Sequence, residues 1–119
     1  MNKKILVVDD DRDILEPIEL LLSLEGYMVQ TTTKGEQIYG EVASFKPDLI
    51  LLDVLMSGSD GRTICKNLKA DSAVNAIPII MMSAHPSAKS DSERCGADDF
   101  IAKPFDIPDL LAIIKKYIK

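Results

Sequence analysis

Residues 49 to 53 have the sequence Leu-Ile-Leu-Leu-Asp, an uninterrupted apolar run that ends on a carboxylate. Such a run has no polar face to turn towards water, which is typical of a central parallel strand covered by helices on both sides. Ligands bind to open α/β sheets in the crevice at the carboxyl ends of the strands. Asp53 is therefore predicted to face a crevice, and it is the first candidate for chemistry.

Four more segments have the composition of strands, and a helical pattern follows each of the five. The other strands are predicted at residues 4–8, 27–32, 77–82 and 99–103. The helices are predicted before Gly26, from Gly35 to Phe45, after Gly61, from Ser87 to Arg94 and after Asp106. By the right-handed crossover rule this alternation predicts an α/β fold, a flavodoxin-like doubly wound (βα)5 parallel sheet with strand order 2-1-3-4-5.

Local signals add detail to three of these helices. The first begins either with Asp13 as its N-cap or at Arg12, and the second choice predicts a bend near Pro17. On the third helix, Arg62, Lys66 and Lys69 are predicted to form a solvated face. The segment from Ser87 to Arg94 is poor in helix formers, so it should be the least firmly held helix.

Composition limits the class of protein. The chain has 119 residues, 46% of them hydrophobic, which fits one domain over residues 1 to 119 with no output domain. A formal net charge of -5 disfavours binding to nucleic acid or anionic lipid. The first apolar run breaks at once into aspartates, unlike a secretory signal, so we expect a cytoplasmic chain. Cys65 and Cys95 lack metal-site spacing and are predicted to be reduced, partly buried thiols.

Three carboxylates are predicted at one mouth, because the strand order brings Asp9 and Asp10 beside Asp53. Carboxylates that converge repel one another, so either their pKa values rise or a cation binds among them. Oxygen ligands with no His or Cys nearby favour Mg²⁺. The alternative is an acidic loop that only caps the first helix, which is the simplest role for Asp11.

Two further strand ends are expected at the same mouth. Ser83 ends the fourth strand with a hydroxyl, and Lys103 ends the fifth with an ammonium. Together with Mg²⁺ these groups would neutralise the phosphoryl oxygens during phosphoryl transfer. Asp53 is then the predicted nucleophile, which forms an aspartyl phosphate.

Five separated motifs carry a resemblance to a known family. They are Val7 to Asp11, Leu51 to Asp53, Met56 with Asp60-Gly61, Ser83-Ala84, and Gly96 to Phe100 followed by Lys103-Pro104-Phe105. In this order they resemble the receiver (CheY-like) domain of two-component response regulators, over essentially the whole chain. The resemblance implies that Asp53 accepts a phosphoryl group from the phosphohistidine of a histidine kinase or phosphotransfer protein.

The resemblance also assigns roles around the phosphoacceptor. It implies that Asp10, Asp53 and the Leu55 carbonyl ligate Mg²⁺, with Mn²⁺ as a substitute, and that Asp9 helps through water. It implies that Lys103 contacts the phosphoryl group and that the peptide bond from Lys103 to Pro104 is cis. Ser83 and Phe100 would be the switch pair.

An output surface follows from the same resemblance. The fourth helix, last strand and last helix would bind a downstream protein, with the chain a monomer or a weak phosphorylation-dependent dimer. The chain would be a signalling domain that assists its own phosphorylation and dephosphorylation rather than an enzyme. Leu55 and His85 stand at positions that tune the lifetime of the phosphate in this family. The family often has proline where Ser57 stands, which predicts a looser loop here.

Three other readings remain open. A Mg²⁺-dependent phosphohydrolase of the haloacid-dehalogenase type would need an Asp two residues after the nucleophile, where this chain has Leu55. A flavodoxin would need hydroxyls and glycines after the first strand, where this chain has aspartates. A phosphorylation-independent interaction module is disfavoured because every chemical position is filled.

Overall fold

A five-stranded parallel sheet forms the centre of the molecule. The computed structural model describes residues 2–56, 58–85 and 87–118. The strands are β1 (Lys4–Val8), β2 (Met28–Thr32), β3 (Leu49–Asp53), β4 (Ile79–Ser83) and β5 (Asp99–Ala102). They lie in the order β2-β1-β3-β4-β5, and every adjacent pair is parallel. The predicted doubly wound sheet and its strand order are confirmed.

Helices cover both faces of the sheet. They are α1 (Arg12–Leu24), α2 (Ile38–Phe45, preceded by a 3₁₀ turn at Gly35–Gln37), α3 (Gly61–Ala70), α4 (Ala88–Cys95) and α5 (Ile107–Tyr117). Helices α2, α3 and α4 pack in one apolar cluster, and α1 and α5 pack in the other. None of the helices in the described ranges is long and apolar enough to span a bilayer.

Alternate residues of β1, β3, β4 and β5 belong to different clusters. On β3, Ile50 and Leu52 lie in the cluster of α2, α3 and α4, while Leu49 and Leu51 lie in the cluster of α1 and α5. All five residues of β3 are buried. This is the physical reason for its unbroken apolar sequence, because both sides of the pleat need an apolar side chain.

The start of α1 differs from one of the two predicted positions. The helix begins at Arg12, and its N-cap is Asp11, whose Oδ1 accepts a hydrogen bond from the Asp13 backbone N–H at 2.9 Å. The assignment of Asp13 as the N-cap is therefore wrong. Gly26 follows the C-cap with a φ of +95°, the left-handed conformation in which glycine is favoured.

The cationic face predicted on α3 is also partly wrong. Lys66 is exposed, but Lys69 folds back so that its Nζ lies 2.6 Å from Asp98 Oδ2 and donates to the Ile77 carbonyl at 2.9 Å. The periodicity placed Lys69 on the outer face, but its long side chain reaches the loop before β5.

The remaining segments show smaller differences. β5 ends at Ala102, so Lys103 comes directly after the strand. The loop after β3 contains a short antiparallel hairpin that pairs Leu55–Met56 with Ser59–Asp60. Ser57 lies outside the described residues, so the looser loop predicted there stays untested. Asp106 occupies the N-cap of α5, but its side chain makes no capping hydrogen bond to the described residues of that helix.

Candidate functional site

The alternation of side chains along the strands places three ionisable side chains on one side of the sheet. Ile5 and Val7 on β1, Leu49 and Leu51 on β3, and Ile101 on β5 all belong to the cluster of α1 and α5. Continuing the alternation by two residues on each strand leads to Asp9, Asp53 and Lys103. The same pleat that builds the core therefore delivers two carboxylates and an ammonium to one edge.

The acidic side chains meet as predicted. Asp9, Asp10 and Asp53 each place a carboxylate oxygen within 4.8 Å of the other two. Asp9 and Asp53 are buried, with 1% and 5% of their surface exposed, while Asp10 is exposed. The cluster therefore consists of two buried carboxylates and one exposed carboxylate at its rim.

Lys103 joins the two buried acids. Its Nζ donates to Asp9 Oδ2 at 2.6 Å and to Asp53 Oδ1 at 3.3 Å. The other oxygen of Asp9, Oδ1, accepts from the Asp11 backbone N–H at 3.0 Å. Asp9 is thus fixed at both oxygens, whereas the contact from Lys103 to Asp53 is longer. The peptide bond from Lys103 to Pro104 is cis.

Burial and neighbouring charges set the protonation states of Asp53 and Lys103. Desolvation, and then the charge of Asp9, raise the pKa of Asp53 to about 6, although Lys103 opposes the shift. For Lys103, burial lowers the pKa, but the hydrogen bond to Asp9 and the charges of Asp53 and Asp9 outweigh it, and the pKa is raised. At neutral pH the site therefore holds an ionised Asp53 beside a protonated lysine.

A cleft of about 500 Å³ opens over Asp53. Its lining residues are Ile14, Asp53, Leu55, Ser83, Ala84, His85 and Lys103. Ser83 is buried at the end of β4, and its Oγ accepts a hydrogen bond from the His85 backbone N–H at 3.0 Å. The small side chain of Ala84 leaves room for a phosphoryl donor. The structure thus brings the predicted hydroxyl and ammonium to the same hollow as the acids.

The cation proposed for this site can be tested against the donor set. Three carboxylates share a small space with oxygen donors alone, and Lys103 balances only part of their charge. The raised pKa of Asp53 is the sign that repulsion and desolvation remain uncompensated. Hard oxygen ligands around excess negative charge fit Mg²⁺, which binds through one or two carboxylates and keeps several waters.

Gly61 is a site residue whose role the sequence did not reveal. A Cβ at this position would collide with the backbone carbonyl oxygen of Asp53, and the Gly61 N–H donates to the Val54 carbonyl at 2.8 Å. The first turn of α3 therefore rests directly on the backbone of Asp53. The Asp60-Gly61 motif was the available signal, although it gave no indication of this contact.

Phe100 is not among the residues that line the cleft over Asp53. It lies on β5 opposite Met81, is half-buried, and packs against the cluster of α2, α3 and α4. It is two strand positions from Ala102, the partner of Ser83.

Comparisons with known proteins agree with this geometry. The family model described as the response regulator receiver domain matches residues 5–115. The chain is 37% identical over 124 residues to Response regulator MprA of Mycobacterium bovis and 33% identical over 118 residues to the DNA-binding dual master transcriptional regulator RpaA of Synechocystis sp.. These alignments cover 100% and 98% of this chain but 52% and 49% of the relatives, so the chain spans about half their length.

A solved structure agrees as well. A response regulator from Chloroflexus aurantiacus superposes with a TM-score of 0.93 at 34% sequence identity, covering 98% of both chains. The chain therefore belongs to the response regulator receiver domain family of two-component systems. Response regulators work with histidine kinases.

Proposed function

We propose that Asp53 accepts a phosphoryl group from the phosphohistidine of a histidine kinase or a phosphotransfer protein. The observation that carries this proposal is the contact of Lys103 Nζ with both Asp9 and Asp53, at 2.6 and 3.3 Å, beside an open cleft. In the transfer, a carboxylate oxygen of Asp53 attacks phosphorus. The phosphorus–nitrogen bond of the donor breaks, and the imidazole keeps the electron pair.

The protein groups have distinct tasks in this step. Asp53 acts as the nucleophile in its ionised form, which a pKa of about 6 makes dominant at neutral pH. Lys103 stays protonated because its pKa is raised, so its ammonium is available to the phosphoryl oxygens. The Ser83 hydroxyl lines the cleft, and because its Oγ accepts from the His85 N–H, its O–H is available to donate to a phosphoryl oxygen.

Asp10, Asp53 and the Leu55 backbone carbonyl are the proposed ligands of Mg²⁺ or Mn²⁺, with Asp9 acting through water. Asp9, Asp10 and Asp53 have the required oxygen chemistry and proximity. When bound, the ion supplies positive charge that lets a phosphoryl group approach three carboxylates.

We propose that Leu55 and His85 tune the lifetime of the aspartyl phosphate. Both line the cleft, and 48% of the Leu55 surface is exposed. The His85 Nδ1 accepts from the Ser87 N–H at 3.3 Å and lies 2.8 Å from the Ser87 Oγ. With Nδ1 used as an acceptor, the neutral ring carries its proton on Nε2 and has no free basic nitrogen. Its proposed role is to exclude water rather than to deprotonate it.

Phosphorylation would then reposition Ser83 and Phe100. A phosphoryl group adds nearly two negative charges, and Ser83, whose Oγ accepts from the His85 N–H, moves to donate its O–H to a phosphoryl oxygen. Phe100 turns into the space that Ser83 leaves, and α4 shifts. The surface of α4, β5 and α5 would bind the downstream protein. A clean switch from 1:99 to 99:1 requires about 5.5 kcal/mol of differential stabilisation.

Relaxation dispersion on residues 87 to 103 tests this switch. We expect microsecond-to-millisecond exchange that changes in amplitude when a phosphoryl mimic binds. Absence of exchange both with and without the mimic would exclude it.

In the proposed function, the chain assists its own phosphorylation and dephosphorylation. It acts through protein contact, as a monomer or a weak phosphorylation-dependent dimer. Absence of nucleic-acid binding is proposed for these residues, while one relative of twice the length is named as DNA-binding.

Intact mass after treatment with acetyl phosphate and Mg²⁺ tests the acceptor. The wild type should gain the mass of one phosphoryl group, and Asp53→Asn should gain none. Equal gain by both proteins would refute Asp53 as the acceptor. Steady turnover of small phosphate esters by the wild type would favour a phosphohydrolase instead.

A further inference from the structure

Two thiols meet between α3 and α4, away from the phosphoacceptor. Cys65 on α3 has 0% of its surface exposed and Cys95 at the end of α4 has 8%, and both are free thiols. The Cys65 Sγ donates to the Cys95 carbonyl oxygen at 3.6 Å, and both side chains are buried in the cluster of α2, α3 and α4. They are 30 residues apart in sequence, so the fold alone brings them together.

The two cysteines have different surroundings. Desolvation, and then the contact with Cys95, raise the pKa of the Cys65 thiol, so it stays neutral while α4 is in place. Cys95 lines a groove of about 230 Å³ that is open to solvent and is also lined by Arg62, Lys66, Asp91 and Arg94. Because 8% of the Cys95 surface is exposed and 0% of the Cys65 surface, an oxidant reaches Cys95 first, and Cys65 is the partner behind it.

Helix α4 is the element that controls access to both sulfurs. The side chains that it buries are Ala88, Ser92 and Cys95, which are all small. Its N-cap, Ser87, makes no capping hydrogen bond within the described part of the helix. A helix held by so little apolar surface opens locally at low free energy, and each opening exposes the thiols.

We propose that Cys65 and Cys95 form a reversible disulfide that fastens α4 to α3 when the chain meets a low-molecular-weight disulfide oxidant. The Cys95 thiolate attacks one sulfur of the oxidant and releases one thiol, which leaves a mixed disulfide on Cys95. The Cys65 thiol, deprotonated in the attack, then displaces the second thiol from the Cys95 sulfur. Two cysteines are oxidised, one disulfide is reduced to two thiols, and the protons pass to the released thiolates.

The mechanical consequence follows from the crosslink alone. A bond between the two sulfurs removes the local opening of α4, because the end of the helix is then tied to a buried position on α3. An effect on binding at the surface of α4, β5 and α5 would rest additionally on the proposed function. The tests below use the unphosphorylated chain, so they fail or succeed independently of that function.

Oxidation of the native chain with glutathione disulfide gives the chemical test. The wild type should lose two hydrogens in intact mass and yield one linked peptide that contains Cys65 and Cys95. Cys65→Ala should instead keep a glutathione adduct on Cys95, because the displacing thiol is gone. A lasting adduct on the wild type, crosslinked dimers, or no reaction while the urea-unfolded chain oxidises fully would each overturn the proposal.

Hydrogen exchange tests the fastening. After oxidation, the backbone amides of α4 should exchange about tenfold more slowly than in the reduced chain. Reduction should restore the original rate, and Cys95→Ser should show no change on treatment with oxidant. Equal α4 exchange in the oxidised and reduced wild type would show that the crosslink does not restrain the helix.

Discussion

Opposing interactions meet at Asp53. Its carboxylate is buried beside Asp9, and burial together with that neighbouring charge raises its pKa to about 6 from the ordinary value of 3.8. Lys103 offsets part of this effect and also holds Asp9. In the absence of a bound cation, the ionised Asp53 therefore destabilises the fold that positions it.

This conflict predicts a pH-dependent gain of stability in Asp53→Asn. Because the folded pKa is raised, the neutral acid stabilises the fold fully below about pH 4, and that contribution is lost as the pH rises through about 6. In metal-free buffer near neutral pH, the free energy of unfolding of the variant should exceed that of the wild type by on the order of 1–2 kcal/mol, after allowance for solvent screening. Urea unfolding across this pH range measures the difference.

The control is Glu19→Gln, which removes an exposed carboxylate on α1. The difference in free energy of unfolding between this variant and the wild type should vary little with pH. A benefit of Asp53→Asn that is larger at acidic than at neutral pH would contradict the sign of the pKa shift.

His85 gives a second prediction at this scale. If its ring excludes water from the cleft, His85→Ala should shorten the lifetime of the aspartyl phosphate by about threefold or more. Loss of the phosphoryl mass with time measures it. Ser87→Ala is the matched control for the ring's orientation, because it removes the hydroxyl 2.8 Å from Nδ1 and keeps the ring. A longer lifetime in His85→Ala would show that the imidazole assists hydrolysis instead.

At the scale of elements, the site depends on how α3 meets β3. Asp60 caps α3 by accepting from the Arg62 N–H, and Gly61 begins the helix against the Asp53 carbonyl. Arg62 then reaches α4, where its Nη1 lies 3.3 Å from Asp91 Oδ2. The start of α3 therefore connects β3, which ends at Asp53, with α4.

Two glycine substitutions separate this packing from ordinary helix propensity. In Gly61→Ala the new methyl collides with backbone, which cannot move aside cheaply, so we expect a loss of about 2–3 kcal/mol and slower phosphorylation. In Gly40→Ala, on α2, no described atom beyond the neighbouring residues and the local helix backbone lies within 4 Å of the new methyl, so we expect a gain of about 0.5–1 kcal/mol. Urea unfolding and the acetyl phosphate assay measure both variants, and equal effects would contradict the contact.

At the scale of the whole molecule, the acid cluster could be predicted because it depends on short-range rules. Strand ends, alternation and strand order place Asp9, Asp53 and Lys103 without knowledge of any helix packing. Contacts between helices and loops could not be predicted this way. Lys69 meets Asp98, and Cys65 meets Cys95, only because α3 packs beside α4 and the loop before β5. Helical periodicity fixes a residue's face, but it does not fix how far a long side chain reaches.

The caps show the same division at smaller scale. Both Asp11 and Asp13 have a side chain that can cap a helix N-terminus. Which of them is the N-cap depends on where the chain turns from β1 into α1. The structure selects Asp11, which also holds Asp9 through its backbone N–H. The sequence identifies both aspartates as possible N-caps, but tertiary packing determines which of them caps α1.

The central claim is that Asp53 carries the phosphoryl group. Borohydride reduces an acyl phosphate to an alcohol and releases phosphate, so treating the phosphorylated chain converts the modified aspartate to homoserine, which has one oxygen fewer and two hydrogens more than unmodified aspartate. Peptide mass mapping should then find homoserine at position 53 when Mg²⁺ is present, and almost none after chelation. Homoserine at position 9 or 10, or at none of the three aspartates of the cluster in a chain that has gained phosphoryl mass, would contradict the account.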